Sequence, residues 1–308
     1  MQYGVPQGSV LGPILFLLYV NSCSSFVTYG TTIQYADDTT LCLRNKSVTD
    51  LEIQSYIDLT SLFQFFAEKN LSINIQKTNY IVFENHSKEN GKINIMLNDN
   101  PLDEVNYIKF LGMYVDKSLT WNEQINMICN KISSGIYVLR MLSKHCKSKV
   151  LKMAYYGLIY PYISYGIMFW GSCSEKEFNR IFVLQKKAVR IIGNLKFRET
   201  CVNAFKQLEL MTLPCIYIQE TIQFFLYNCV IFTGNDVHNY NTRKGFQYRP
   251  QQHRLNLFPN LPENSGVHLF NKLPEELKII HNKQQFKSKL KQFLLSNAFY
   301  SVEEYLDQ

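Results

Sequence analysis

The sequence has no C-x-x-C pair, no Cys/His cluster at zinc spacing and no internal repeat. Its eight cysteines (Cys23, Cys42, Cys129, Cys146, Cys173, Cys201, Cys215 and Cys229) lie far apart in a chain of 308 residues. An extracellular disulfide scaffold and a zinc finger are both disfavoured, and reduced thiols in an intracellular protein are the expectation. The six histidines stand in no pattern with a nucleophile, so a hydrolase triad has no support. Long apolar runs are also missing. Val10–Val20 is apolar for only 11 residues, contains Gly12-Pro13 and follows no basic segment, which excludes a signal peptide. Met153–Ser174 carries no charge over 22 residues. It contains Pro161 and several tyrosines and serines, so a buried aromatic helix pair is expected there, not a membrane span.

What is present is a globular composition, 46% hydrophobic and 19% charged. The net charge of +7 is unevenly placed. Residues 1–150 hold 13 basic and 13 acidic side chains. Gln124–Thr200 alone holds 13 basic and 3 acidic ones, a local excess that points to a polyanionic partner or to a solvated basic face.

Periodicity gives an α+β order of elements. Val10–Val20 is expected as a buried helix. Ile33–Leu43 alternates around two acids and is expected as strand, tight turn, strand. Thr49 or Asp50 should cap a helix to about Lys69, with Leu51, Ile57, Leu62 and Phe66 among its apolar positions and Asn70 as its stop. Leu71–Phe83 and Ile93–Leu97 are expected as strands, and Tyr107–Val115 as a strand pair around Gly112. From Trp121 the pattern is helical, with a second helix over Phe178–Ile192. Residues 234–265 are polar and predict a linker. Pro274-Glu275-Glu276 opens a helix, and Phe286, Leu290, Phe293 and Leu294 mark the apolar face of the last amphipathic one.

Tyr35-Ala36-Asp37-Asp38 carries the sharpest chemistry. Adjacent carboxylates at a hairpin tip repel each other, and a divalent cation removes that cost. At average composition this tetrapeptide would arise by chance in about two such chains per thousand, so an ordinary Asp-Asp turn is the weaker reading. The segment Gly4-Val5-Pro6-Gln7-Gly8-Ser9-Val10-Leu11-Gly12-Pro13 precedes it by about thirty residues. Taken alone that segment is a Gly/Pro turn into a helix. Its glycines also permit close backbone approach to a ligand, and Gln7 offers a donor and an acceptor.

Together these stretches resemble motifs B and C of reverse transcriptases, specifically the LINE-type, jockey-like polymerases of non-LTR retrotransposons. Leu71–Thr78 (LSINIQKT) looks like motif D, whose lysine would be Lys77. Tyr107–Asp116 (YIKFLGMYVD) looks like the primer-grip motif E, and the helices after Trp121 are similar to a thumb. The resemblance implies part of a palm over residues 1–120, a thumb-like helical domain over 121–200 and a helical C-terminal extension over 201–308. It implies an RNA-directed DNA polymerase, a nucleotidyltransferase acting with Mg2+ on an RNA template, a DNA primer or target and deoxynucleoside triphosphates. No membrane partner is implied, and a nuclear location is.

On the same resemblance, Asp37 and Asp38 would be metal ligands and Lys77 a general acid. Gln7, Gly8, Ser9 and Tyr35 would line the template and primer end. Phe110, Leu111 and Gly112 would grip the primer. Lys131, Arg140, Lys144, Lys147, Lys149, Lys186, Lys187 and Arg190 would contact the nucleic-acid backbone, the last three from one helical face. The family's palm carries a further metal-binding aspartate in a motif A upstream of motif B, and only Met1–Tyr3 precede motif B here. A family aspartate near position 22 is Ser22. The chain alone is therefore expected to be inactive as a polymerase. The alternative is a non-catalytic, nucleic-acid-binding remnant of a mobile element.

Overall fold

The structure, a computed structural model, describes residues 5–6, 8–83, 93–196, 198–229, 247–250 and 260–308. Two compact units divide the chain, Met1–Leu119 and Thr120–Gln308.

The first unit opens with α1 (Leu11–Val20), followed by a 3-10 turn (Asn21–Phe26). The Ser9 hydroxyl, one residue before the N-cap position Val10, accepts the Gly12 N–H at 3.1 Å in the first turn of α1. The expectation of a buried helix is corrected: Val20 alone is buried, while Val10 is 86% and Leu18 70% exposed. A helix that is apolar on every side cannot turn a polar face to solvent.

The antiparallel hairpin of β1 (Thr31–Tyr35) and β2 (Asp38–Cys42) follows, paired from Thr31↔Cys42 to Tyr35↔Asp38. Next is α2 (Val48–Glu68). Its cap is Ser47, whose hydroxyl accepts the Asp50 N–H at 3.3 Å, in place of Thr49 or Asp50. Asn70 has a left-handed φ of 53°, as a helix stop requires. The buried stripe of α2 is Ser55, Asp58, Leu62 and Phe65, at helical spacing; Ile57, expected inside, is exposed.

Among the described residues the strands make four two-stranded sheets, one of them parallel, and not one continuous antiparallel palm sheet. The expected strand over Leu71–Phe83 shrinks to β3 (Asn79–Tyr80). Before it, Asn74 Oδ1 accepts the Lys77 N–H at 3.2 Å and the Thr78 hydroxyl donates to Asn74 O at 2.9 Å. Such local bonds hold a 3-10 turn (Ile75–Lys77) in competition with a ladder. β4 (Met96–Leu97) pairs with β5 (Asn100–Pro101), and β3 with β6 (Asp103–Glu104). β7 (Tyr107–Phe110) and β8 (Met113–Asp116) form the expected pair.

The second unit is helical. It contains α3 (Asn122–Ser143), α4 (Ser148–Leu158), α5 (Tyr160–Ser164), α6 (Ile167–Trp170), α7 (Glu175–Ile192), α8 (Val202–Gln207) and α9 (Leu213–Asn228). It ends in α10 (Pro262–Asn271), α11 (Glu275–Lys278), α12 (Lys283–Asn297) and α13 (Val302–Leu306). One core runs through it, with Ile125, Tyr155, Trp170, Phe205, Leu290 and Tyr305 all fully buried. Helices from both sides of residue 200 pack into this core. The uncharged stretch Met153–Ser174 becomes α4–α6 and buries Tyr155, Ile159, Ile163, Ile167 and Trp170, so it is core. Among the described residues, no helix is long and apolar enough to cross a membrane. Most of the expected linker over 234–265 lies outside the described residues, and its end is corrected, because α10 starts at Pro262.

Candidate active-site hairpin and basic helical surface

The β1–β2 hairpin projects its tip. Tyr35 is 65% exposed, and Asp37 and Asp38 are exposed beside it. Tyr35 and Asp38 close the ladder, leaving Ala36 and Asp37 as a two-residue loop. Ala36 takes a φ of 52°, a value that glycine adopts freely and alanine does not. Ala36→Gly is therefore expected to stabilise the hairpin by about 0.5–1 kcal/mol, because the relieved strain of ~1–2 kcal/mol exceeds glycine's entropic cost. Slower amide exchange over Thr31–Cys42 in that variant is the check; faster exchange would mean that the alanine turn is unstrained.

Among the described residues neither carboxylate of the tip pairs with a cation. Their hard, ionised oxygens suit a magnesium ion, so the donor chemistry fits. The donor set is short: among the described residues no group of three His, Cys, Asp or Glu side chains could hold a metal.

The other expected site residues are spread over the first unit. Gly8 has a φ of 84° in the turn before α1, and the Ser9 hydroxyl accepts the Gly12 N–H; Gln7 lies outside the described residues. Lys77 is exposed at the end of its 3-10 turn. Phe110 pairs with Met113 across Leu111-Gly112, whose φ values of 46° and 88° are both positive. That is the signature of a type I′ hairpin turn, for which Gly112 is suited and Leu111 is not. Phe110 is half-buried, while Leu111 and Gly112 are exposed.

In the helical unit, Lys131, Arg140, Lys144, Lys147 and Lys149 are exposed on α3, the turn after it and the start of α4. The ammonium of Lys131 lies 6.0 Å from the Tyr162 ring centre. On α7 the structure corrects the expectation of one shared face. Lys186 and Arg190 point one way: the Lys186 ammonium lies 4.3 Å over Phe182, and Arg190 Nε donates to the Glu199 carbonyl at 3.1 Å. Burial, and then the neighbouring Arg190 charge, lower the pKa of Lys186. Lys187 is rotated about 100° from Lys186 around the helix. It lines an open groove with Cys129, Lys176, Asn179, Arg180, Val183 and Leu184. Sequence reasoning missed Lys176 and Arg180, although both fall on the 3.6-residue period that ends at Lys187. Arg180 is held by Glu177 and by Asn126 Oδ1 at 3.0 Å.

Residues 1–115 match the family described as reverse transcriptase (RNA-dependent DNA polymerase). The chain is 27% identical over 219 residues to the probable RNA-directed DNA polymerase from transposon X-element of Drosophila melanogaster, covering 68% of this chain and 24% of that protein. It is 29% identical over 207 residues to the RNA-directed DNA polymerase from mobile element jockey of the same species, covering 62% and 22%. A third relative is the retrovirus-related Pol polyprotein from type-1 retrotransposable element R1 of Nasonia vitripennis, 21% identical over 221 residues and covered over 69% and 66%. The matched region thus spans about a quarter of the length of the first two relatives. No solved structure matches the chain.

Proposed function

We propose that this chain, whose residues 1–115 match the reverse transcriptase family and which is similar to RNA-directed DNA polymerases of mobile elements, contributes to template-directed DNA synthesis on RNA. The observation that carries the reading is the exposed Asp37-Asp38 tip of a two-stranded hairpin inside the matched segment. Residues 1–120 are assigned to part of a palm, 121–200 to a thumb and 201–308 to a helical extension. Asp37 and Asp38 would hold a magnesium ion, which when bound activates a primer 3′-hydroxyl and stabilises the leaving pyrophosphate. Tyr35 packs its ring under the primer end. Gly8, Ser9 and Gln7 border the template and the incoming nucleotide. Lys77 gives a proton to the pyrophosphate. Phe110, Leu111 and Gly112 hold the primer strand. A nuclear site of action follows from the same reading. Two carboxylates make an incomplete two-metal site, so the chain by itself does not extend primers. The test is primer extension with the chain alone and with a related element's fingers and motif A joined ahead of it.

The helical unit is assigned nucleic-acid backbone binding through its cations. If four to six phosphates are neutralised, log K for a labelled RNA–DNA hybrid should fall against log salt with a slope of about −3 to −5. Lys176→Ala with Lys187→Ala should weaken binding to every sequence and flatten the slope by about two units, with stability unchanged. Lys186→Ala with Arg190→Ala should flatten it similarly but also lower stability, because these two side chains pack on Phe182 and bond to Glu199. Unchanged affinity and slope in both double variants would leave the basic surface as solvated decoration.

A further inference from the structure

Asp58 is fully buried at 0% exposure, in the middle of the inward stripe of α2. An ionised carboxylate in such a place costs several kcal/mol unless its oxygens are satisfied. They are satisfied by three successive backbone amides. The N–H of Thr28 donates to Oδ1 at 2.9 Å, and those of Tyr29 and Gly30 donate to Oδ2 at 3.1 and 2.8 Å. These residues immediately precede β1, whose first residue Thr31 pairs with Cys42.

From Asp58 we infer a positioning role: by gathering the N–H groups of Thr28, Tyr29 and Gly30, its carboxylate clamps the base of the hairpin and so fixes where the Asp37-Asp38 tip lies. The clamp closes from two sides. A Cβ on Gly30 would meet Leu41 Cδ1 at 2.7 Å and the Cys42 carbonyl at 2.9 Å, so the base of β1 also lies tight against β2. The polar clamp is the partner of an apolar one, Leu41 packed against the Cys23–Leu62–Phe65 cluster. The need for a clamp is mechanical. A two-stranded hairpin is marginal by itself. Five residues at ~3.3 Å put the tip about 17 Å from its base, so a 10° rotation at the base moves the tip by about 3 Å. A misplacement of about 1 Å is enough to cost a reaction that depends on alignment.

The consequence for synthesis rests on the reading of Asp37 and Asp38 given above, whereas the clamp does not. The experiment is amide hydrogen exchange on the full chain, which needs neither metal nor activity. Asp58→Asn keeps the shape and one acceptor oxygen while removing the charge. It should accelerate exchange over Thr28–Cys42 about tenfold or more and leave α2 and the helical unit within a factor of about two. Leu62→Ala, which leaves the Asp58 bonds in place and loosens the apolar cluster shared by α2 and Leu41, should accelerate α2 and the hairpin together. Gly30→Ala leaves Asp58 in place and should reproduce the selective loosening, which keeps the inference testable if Asp58→Asn does not fold. Hairpin exchange unchanged in either clamp variant, or acceleration shared equally with α2, overturns the inference. A reconstituted polymerase indifferent to Asp37→Asn would instead overturn the catalytic reading and leave the clamp result standing.

Discussion

Given a primed RNA template, deoxynucleotides and magnesium, the purified chain is expected to add no nucleotide. Only Asp37 and Asp38 offer adjacent exposed carboxylates at the hairpin tip, and among the described residues no third ligand joins them. Two carboxylates would hold a divalent ion weakly, and the charge that such an ion would offset on the attacking and leaving oxygens would stay uncompensated. Joining a related element's fingers and motif A to Gly4 is expected to restore extension. The added polypeptide would supply a further carboxylate and apolar surface for α1, whose Leu11, Ile14, Leu17 and Leu18 are exposed. In that chimera Asp37→Asn should cut the extension rate by about a thousandfold or more, since metal-ion charge stabilisation supplies several kcal/mol and each ~1.4 kcal/mol is tenfold. The readout is labelled primer length against time. Extension by the chain alone, abolished by Asp37→Ala, would sink the claim that the site is incomplete. An Asp37→Asn chimera as fast as its parent would reduce the hairpin tip to an ordinary turn.

The second large effect concerns the last eleven residues, Ala298–Gln308. They could pass for a loose tail, yet Ala298, Phe299 and Tyr305 are buried. The Tyr305 hydroxyl donates to the Leu269 carbonyl at 2.7 Å, and the Thr212 hydroxyl donates to the Phe299 carbonyl at 2.5 Å. Tyr300 sits edge-on to Phe182 and Phe205 at 5.2 and 6.2 Å between ring centres. Losing Phe299 and Tyr305 alone should cost about 6–10 kcal/mol at ~3–5 each, comparable with the whole stability of a domain. Deletion of residues 298–308 is therefore expected to abolish cooperative melting of the helical unit. Tyr305→Phe should cost only about 1 kcal/mol, the value of one hydrogen bond. Both tryptophans, Trp121 and Trp170, lie in that unit, so tryptophan fluorescence during denaturation reports on it selectively. A truncated chain with an unshifted cooperative transition would show that the core closes without its C-terminal segment.

Local pattern alone determined several elements. The alternation around Tyr35-Ala36-Asp37-Asp38 and the two acids in its turn specified a hairpin, and the backbone there forms one. Phe286, Leu290, Phe293 and Leu294 predicted the inward face of α12; three are buried and Phe293 is half-buried. Gly112 marked the turn of β7–β8. In each case the controlling interactions lie within a few residues, so the period of the side chains carries the information. The resemblance to reverse transcriptases was likewise legible in the short motifs, and residues 1–115 match that family.

Tertiary structure decided what local pattern leaves free. Ile57 and Asp58 are neighbours in α2, and hydrophobicity places the isoleucine inside. The structure does the reverse, because amides about thirty residues upstream compensate the carboxylate. Lys186 and Lys187 are equivalent by composition, but Phe182 takes one ammonium while the other lines a groove with Lys176 and Arg180. Val10–Val20 is a helix by pattern, yet among the described residues Val20 alone of it is buried, with Tyr19 bonded to the distant Lys69 carbonyl at 2.6 Å. The C-terminal segment became core through a bond between Thr212 and Phe299, 87 residues apart. Burial of a face and the pairing of a polar group depend on residues distant in sequence, whose positions no local period encodes.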